Sequence, residues 1–274
     1  MIKVIDVDAL FDKYIEEYVY SNIGKVNPEE IENKIPELYV EFGDKQLKEL
    51  DGKTPNTYYK QFSGEELVKC LKEHLQKKID VSDFLCEGIT SNPENATALA
   101  NALSDDENEV FVLYVMNMLA DMNSKLGAER YLEFIAWDYS ESIRELATEL
   151  LSSFAEDVKE QVLVRYNESG EDKKGYYTEI LSHVKNDDRV FDVLTLEFAK
   201  HPENVPLYSN YLAKYGDDRA LPFLMQAIEE KDISYADFEE LRFAIEALGG
   251  IYDKKRDFSQ DKSFKKIKAK KPNN

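Results

Sequence analysis

Apolar residues fall at helical intervals almost from the start of this chain. In DVDALFDKYIEEYVY (6–20), Leu10, Phe11, Tyr14, Ile15, Tyr18 and Val19 share one face, which predicts an amphipathic helix. Asn27-Pro28-Glu29-Glu30 is a start signal, with a capping residue, a proline at the first helical position and acids in the first turn; Ile31, Ile35, Leu38, Tyr39 and Phe42 follow on one stripe. Pro36 inside that stripe is expected to kink or split the helix. The stretch LDGKTP (50–55) reads as a turn and cap, because Gly52 can take positive φ, Thr54 can cap and Pro55 can open the next helix. Ser63-x-x-Glu66 is a capping box ahead of Leu67, Val68, Leu71 and Leu75, and Asn92-Pro93-Glu94 opens a further helix.

From about Glu107 the pattern repeats every 31 residues. Leu119, Leu150, Leu181 and Leu212 keep this spacing, as do Val115, Leu146, Tyr177 and Tyr208 one turn earlier; they define the first helix of each unit. A second set, Leu132, Leu163, Leu194 and Met225, flanked by Tyr131, Val162, Val193 and Leu224, defines the second helix. The units run about 107–137, 138–168, 169–199 and 200–230, with 235–250 as a last helix. A helix pair this short cannot bury its stripe alone, so neighbours must stack around a shared core.

WDYSESIRELATELL (137–151) has an aspartate before the helix, then Ile143-Arg144, Ala147 and Leu150; GDDRALPFL (216–224) and LRFAIEALGG (241–250) continue the pattern. These stretches resemble the short HEAT-like repeats of phycobilin lyases and many bacterial scaffolds, over roughly the second half of the chain. Lys174-Gly175-Tyr176 departs from the pattern where the Ile-Arg pair is expected. The fold expected is all-α: a right-handed α-solenoid of about four 31-residue helix pairs after an irregular N-terminal helical region. The predicted division is 1–105, N-terminal helices; 106–252, solenoid; and 253–274, a basic flexible tail.

The resemblance implies that second helices line a concave binding face. A step of about 100° per residue turns Arg130, Glu133 and Trp137 outward in the first unit, then Gln161, Val164 and Glu168, then Asp192, Thr195 and Ala199, then Phe223, Gln226 and Glu230. Aromatic and apolar members among polar neighbours suit a protein or peptide partner.

The charge narrows the choice of partner. Over 274 residues, 35 basic and 55 acidic side chains give a net charge of −20, which repels nucleic acid and anionic membrane from the body. From Lys254 onward the balance reverses, with nine Lys/Arg and two Asp/Glu. That tail is read as flexible and solvated; docking on an acidic surface and contact with nucleic acid or membrane are the other outcomes its charge allows. Two cysteines, Cys70 and Cys86, argue against a disulfide framework and suit a reducing cytosol, so a cytoplasmic location is expected. MIKVIDVDALFDKY has neither a basic start nor a long apolar run, so no signal peptide is expected, and no stretch offers a membrane span.

Chemistry-bearing patterns are sparse. His74, His183 and His201 show no mutual ligand spacing and are expected at surfaces or helix ends; the acid pairs Asp105-Asp106, Asp187-Asp188 and Asp217-Asp218 are expected to cap helices. No glycine-rich phosphate loop or nucleophile–base signature occurs. The sequence therefore predicts a non-enzymatic scaffold with no catalytic residue, metal or cofactor. The alternative is an enzyme or small-ligand protein using a groove between the N-terminal region and the repeats.

Overall fold

The computed structural model describes residues 2–22, 28–105, 108–137 and 139–270. Among them are sixteen α-helices and no strand. They are α1 (Val7–Ser21), α2 (Pro28–Gly43), α3 (Pro55–Tyr58), α4 (Gly64–Lys77), α5 (Asp83–Thr90), α6 (Asn95–Asp105), α7 (Glu109–Asp121) and α8 (Ala128–Ala136). After them come α9 (Glu141–Ser153), α10 (Ala155–Glu168), α11 (Glu171–Ser182), α12 (Asp188–Lys200), α13 (Val205–Tyr215), α14 (Leu221–Ile228), α15 (Tyr235–Ala247) and α16 (Lys262–Lys270). Among the described residues no helix is long and apolar enough to cross a membrane. The chain divides into two compact units, Met1–Arg130 and Tyr131–Asn274.

In the first unit most start and stop signals act as read. The Ser63/Glu66 capping box forms on α4, Pro55 opens α3 behind Thr54, and Gly52 takes φ +77°. Pro36 lies inside α2 and does not split it. The unit boundary falls inside α8 rather than at 105/106. The reason is α7, whose Phe111, Val112, Val115, Met116, Met118 and Leu119 are all buried; a helix apolar on several sides needs cover on several sides, and α4, α5 and α6 supply it. The N-cap of α7 is Asn108; the predicted cap Asp105 ends α6, and Asp106 lies outside the described residues.

His74 lies in the last turn of α4, at a helix end as expected, but it is not at the surface. It is 1% exposed, with Nδ1 2.8 Å from the Cys70 carbonyl oxygen and Nε2 3.1 Å from that of Ile5, so it ties the extended N-terminal segment to α4. Burial pushes the Cys70 thiol up to about 12 and Cys86 up to about 11, so both behave as small apolar side chains.

In the second unit the helices pack as neighbouring pairs. The first helices α9, α11, α13 and α15 lie one against the next, and α10, α12 and α14 alternate with them. Close approach is permitted by Ala147, Thr178 and Ser209, a buried column at the 31-residue spacing. The two hydroxyls return to their own helices: Thr178 donates to the Lys174 carbonyl at 2.8 Å and Ser209 to that of Pro206 at 3.2 Å, so neither is buried unpaired. Of the predicted apolar columns, Leu181, Leu212, Leu132, Leu194, Val162 and Leu224 are buried, and each fully buried leucine contributes roughly 1.5–3 kcal/mol. Leu146 and Leu150 are half-buried instead, because α9 turns Ile143, Ala147 and Leu151 inward. The N-cap of α9 is Ser140; Asp138 lies outside the described residues.

Of the segment 253–274, expected as a flexible tail, the described residues 253–270 fold partly onto the second unit. Phe258 and Phe264 meet Tyr235 edge to face at centroid distances of 5.3 and 4.9 Å, Phe264 from the first turn of α16. Two aromatic side chains in a stretch read mainly by its charge account for the difference.

Candidate functional site

Close packing in the second unit belongs to the layer of first helices; among the closely packed pairs of described helices, none joins two of α10, α12 and α14. The face predicted as concave is thus the more openly spaced layer. What it offers is a cleft of about 710 Å³. Its walls are the end of α12 with the turn Pro202–Asn204 on one side, and α14 with the 229–233 loop on the other.

Each wall follows from local sequence. On α14, Leu224 and Ile228 are buried, so the helical step turns Phe223, Gln226 and Ala227 toward the cleft. Opposite them stand Phe198, Ala199, Pro202 and Val205, where Pro202 opens a single 3₁₀ turn after α12 and Val205 begins α13. Phe223 keeps 43% of its surface exposed. The rim is acidic: Glu230, Asp232 and Asp237 stand against one cation, Lys231.

The basic segment holds the far wall. The Arg256 guanidinium donates to the carbonyl oxygens of Ile228 (2.8 Å), Glu230 (2.7 Å) and Lys231 (3.0 Å), closing the end of α14. Tyr252 and Lys254 donate to Glu229 at 3.1 and 2.5 Å. Lys254, by hydrogen bonding, holds the Glu229 carboxyl below its usual range.

Of the residues predicted to bind a partner, Phe223 and Gln226 line this cleft, with Ala199 and Glu230 beside them. Trp137 (53% exposed), Val164 (54%), Gln161 and Asp192 are on the surface but do not line it. Thr195 departs from its predicted outward position: it is buried and donates to the Phe191 and Asp192 carbonyls of its own helix. Glu133 is half-buried, and Arg130, also half-buried, donates from Nε to the Leu103 carbonyl at 3.1 Å, within the first unit.

Two of the three acid pairs cap as expected, 187–188 and 217–218. Asp187 and Asp217 each accept the backbone N–H two residues on and hold that residue's guanidinium, Arg189 and Arg219. Arg189 reaches back to Glu160 at 2.7 Å and Arg219 to Asp188 at 2.8 Å, a ladder of ion pairs across successive helix pairs.

Sequence reasoning missed a second grouping. Glu171, Glu197 and His201 bring one ligand-type atom each within 4.8 Å of one another. The signal was present in the repeat frame. Ile135, Tyr166, Glu197 and Ile228 share one column at the 31-residue spacing and all are buried, so a glutamate occupies a core position. Compared with protein-family models, curated proteins and solved structures, the chain finds no match.

Proposed function

We propose that this protein is a non-enzymatic interaction scaffold, a short HEAT-like right-handed solenoid of about four helix pairs, that holds a protein segment in the cleft between α12 and α14. Phe223 carries the proposal. A large aromatic side chain left 43% exposed beside Phe198, Pro202 and Val205 is a surface that gains by being covered. The acidic rim selects the occupant: a segment with an apolar anchor next to lysine or arginine, because Glu230, Asp232 and Asp237 outnumber Lys231. A cleft of about 710 Å³ matches a few side chains rather than a whole folded partner. The net charge of −20 disfavours nucleic acid, and two free thiols suit a cytoplasmic location.

A displayed peptide library selected on the full chain tests this. Enriched peptides are expected to share an apolar residue flanked by Lys or Arg and to bind less tightly as salt is raised. Phe223→Asp is expected to weaken them by at least about tenfold while far-UV circular dichroism stays unchanged. No shared sequence among the selected peptides, or equal binding by Phe223→Asp, would overturn the assignment.

A further inference from the structure

The glutamate in the core column is the strongest unexplained feature of the second unit. Glu197 is 0% exposed at the position where Ile135, Tyr166 and Ile228 stand in the other helix pairs. Burying a carboxylate is costly unless its oxygens find partners. One oxygen does: Oε1 accepts from the Tyr166 hydroxyl at 2.6 Å and from Lys200 Nζ at 3.1 Å. The other, Oε2, is shut off from solvent and accepts no hydrogen bond.

What faces Oε2 is His201 Nε2, 3.3 Å away. Its ring is held from two directions: Nδ1 lies 2.8 Å from Glu203 Oε1, and the ring stacks on Tyr208 at 4.9 Å with an 8° interplanar angle. With Nδ1–H donated to Glu203, Nε2 presents its lone pair to the lone pairs of Glu197 Oε2. At 3.3 Å two such groups need a positive centre between them, which a proton on Nε2, making an ion pair, or a metal ion supplies. Glu171, in the first turn of α11, brings a third donor to the same place.

We propose that Glu171, Glu197 and His201 bind a divalent transition-metal ion of the zinc class. One imidazole nitrogen and two carboxylate oxygens are a donor set such ions accept, and three protein ligands leave a position for water. The surroundings match what orients metal ligands elsewhere: a carboxylate on the far nitrogen of the histidine, and a hydroxyl on the far oxygen of the glutamate. The ion ties the start of α11 to the end of α12. Its competitors are two ammonium groups, Lys174 at 2.6 Å from Glu171 Oε1 and Lys200, which reaches Glu197 and lies 3.9 Å from Glu171. Metal entry displaces Lys200 from the shared carboxylates, so removing that lysine strengthens binding.

The test uses the full chain freed of metal by chelator dialysis, titrated calorimetrically with zinc chloride and spectroscopically with cobalt(II) chloride. One ion per chain is expected, with cobalt d–d bands showing nitrogen and oxygen ligation. Glu197→Gln and His201→Phe are each expected to weaken binding by about tenfold or more, and Lys200→Met to tighten it several-fold. His201→Phe is the variant to rely on if the buried substitution does not fold. Weak binding of several ions that survives both ligand variants would be surface attraction to the acidic body and would overturn the proposal. So would an absence of stoichiometric binding in both the parent and Lys200→Met chains.

Discussion

Asp187 and Asp217 each close the start of a helix and grip an arginine two residues on, and that arrangement gives the second unit an acid sensitivity. Hydrogen bonding to Arg189 holds the Asp187 carboxyl far below the usual carboxylate range, and Arg219 does the same, less strongly, for Asp217. A carboxyl whose folded value is depressed stabilises the fold above its unfolded value, near 3.9, and loses that contribution as pH falls through the folded one. Urea midpoints are therefore expected to hold steady from neutral pH to about pH 5 and to fall below about pH 4. Asp187→Asn with Asp217→Asn is expected to flatten part of that fall; an unchanged profile would place the acid sensitivity in other residues. The capping role of these pairs was legible because acid pairs ahead of helices have one dominant use. Glu197 stood out only in the repeat frame, as an acid in an apolar column four residues before His201; its contact with Tyr166 and that of His74 with Ile5 span 31 and 69 residues and are invisible until the chain is folded.

At the level of helices, the repeat spacing marked out the pairs closely: α9 with α10 and α13 with α14 fall within the predicted units, and α11 with α12 overruns its unit by one residue, Lys200. What it did not convey was which layer packs tightly. Ala147 entered the sequence pattern alone, without Thr178 and Ser209 at the same spacing, because those are polar; small size in this column is what lets first helices approach one another. Thr178→Leu is accordingly expected to overpack the α9–α11 and α11–α13 contacts and destabilise the fold by about 1–3 kcal/mol, read from chemical denaturation. An equally bulky change at exposed Glu149 is expected to have little effect. The face chosen for binding rested on the HEAT-like resemblance, and of it the cleft takes Phe223, Gln226 and Glu230 with Ala199 from the preceding stretch.

For the molecule as a whole, the basic segment is a structural member of the second unit. Arg256 crosses back to three carbonyl oxygens around the 228–231 turn, so the wall of the cleft depends on residues some 25 positions further along the chain. Ending the chain after Tyr252 is expected to speed amide exchange at 229–233 by about tenfold while leaving α9–α11 unaffected. Peptides selected on the full chain are expected to bind the shortened one less tightly; unchanged exchange and unchanged binding would reduce the segment to an appendage. Composition foretold its charge reversal but not its attachment, since Phe258 and Phe264 are too few to form a periodic stripe.

Trp137, 53% exposed at the end of α8, is the chain's one tryptophan. The buried aromatic residues are tyrosine and phenylalanine. Intrinsic fluorescence excited at the indole band therefore reports first on that stretch of surface, where the ring is half covered, and only indirectly on melting of the interior. Near-ultraviolet dichroism of the tyrosines is the faithful gauge of folding. The indole becomes instead a sentinel for its own stretch of surface: a blue shift without any change in dichroism marks the moment when something settles there.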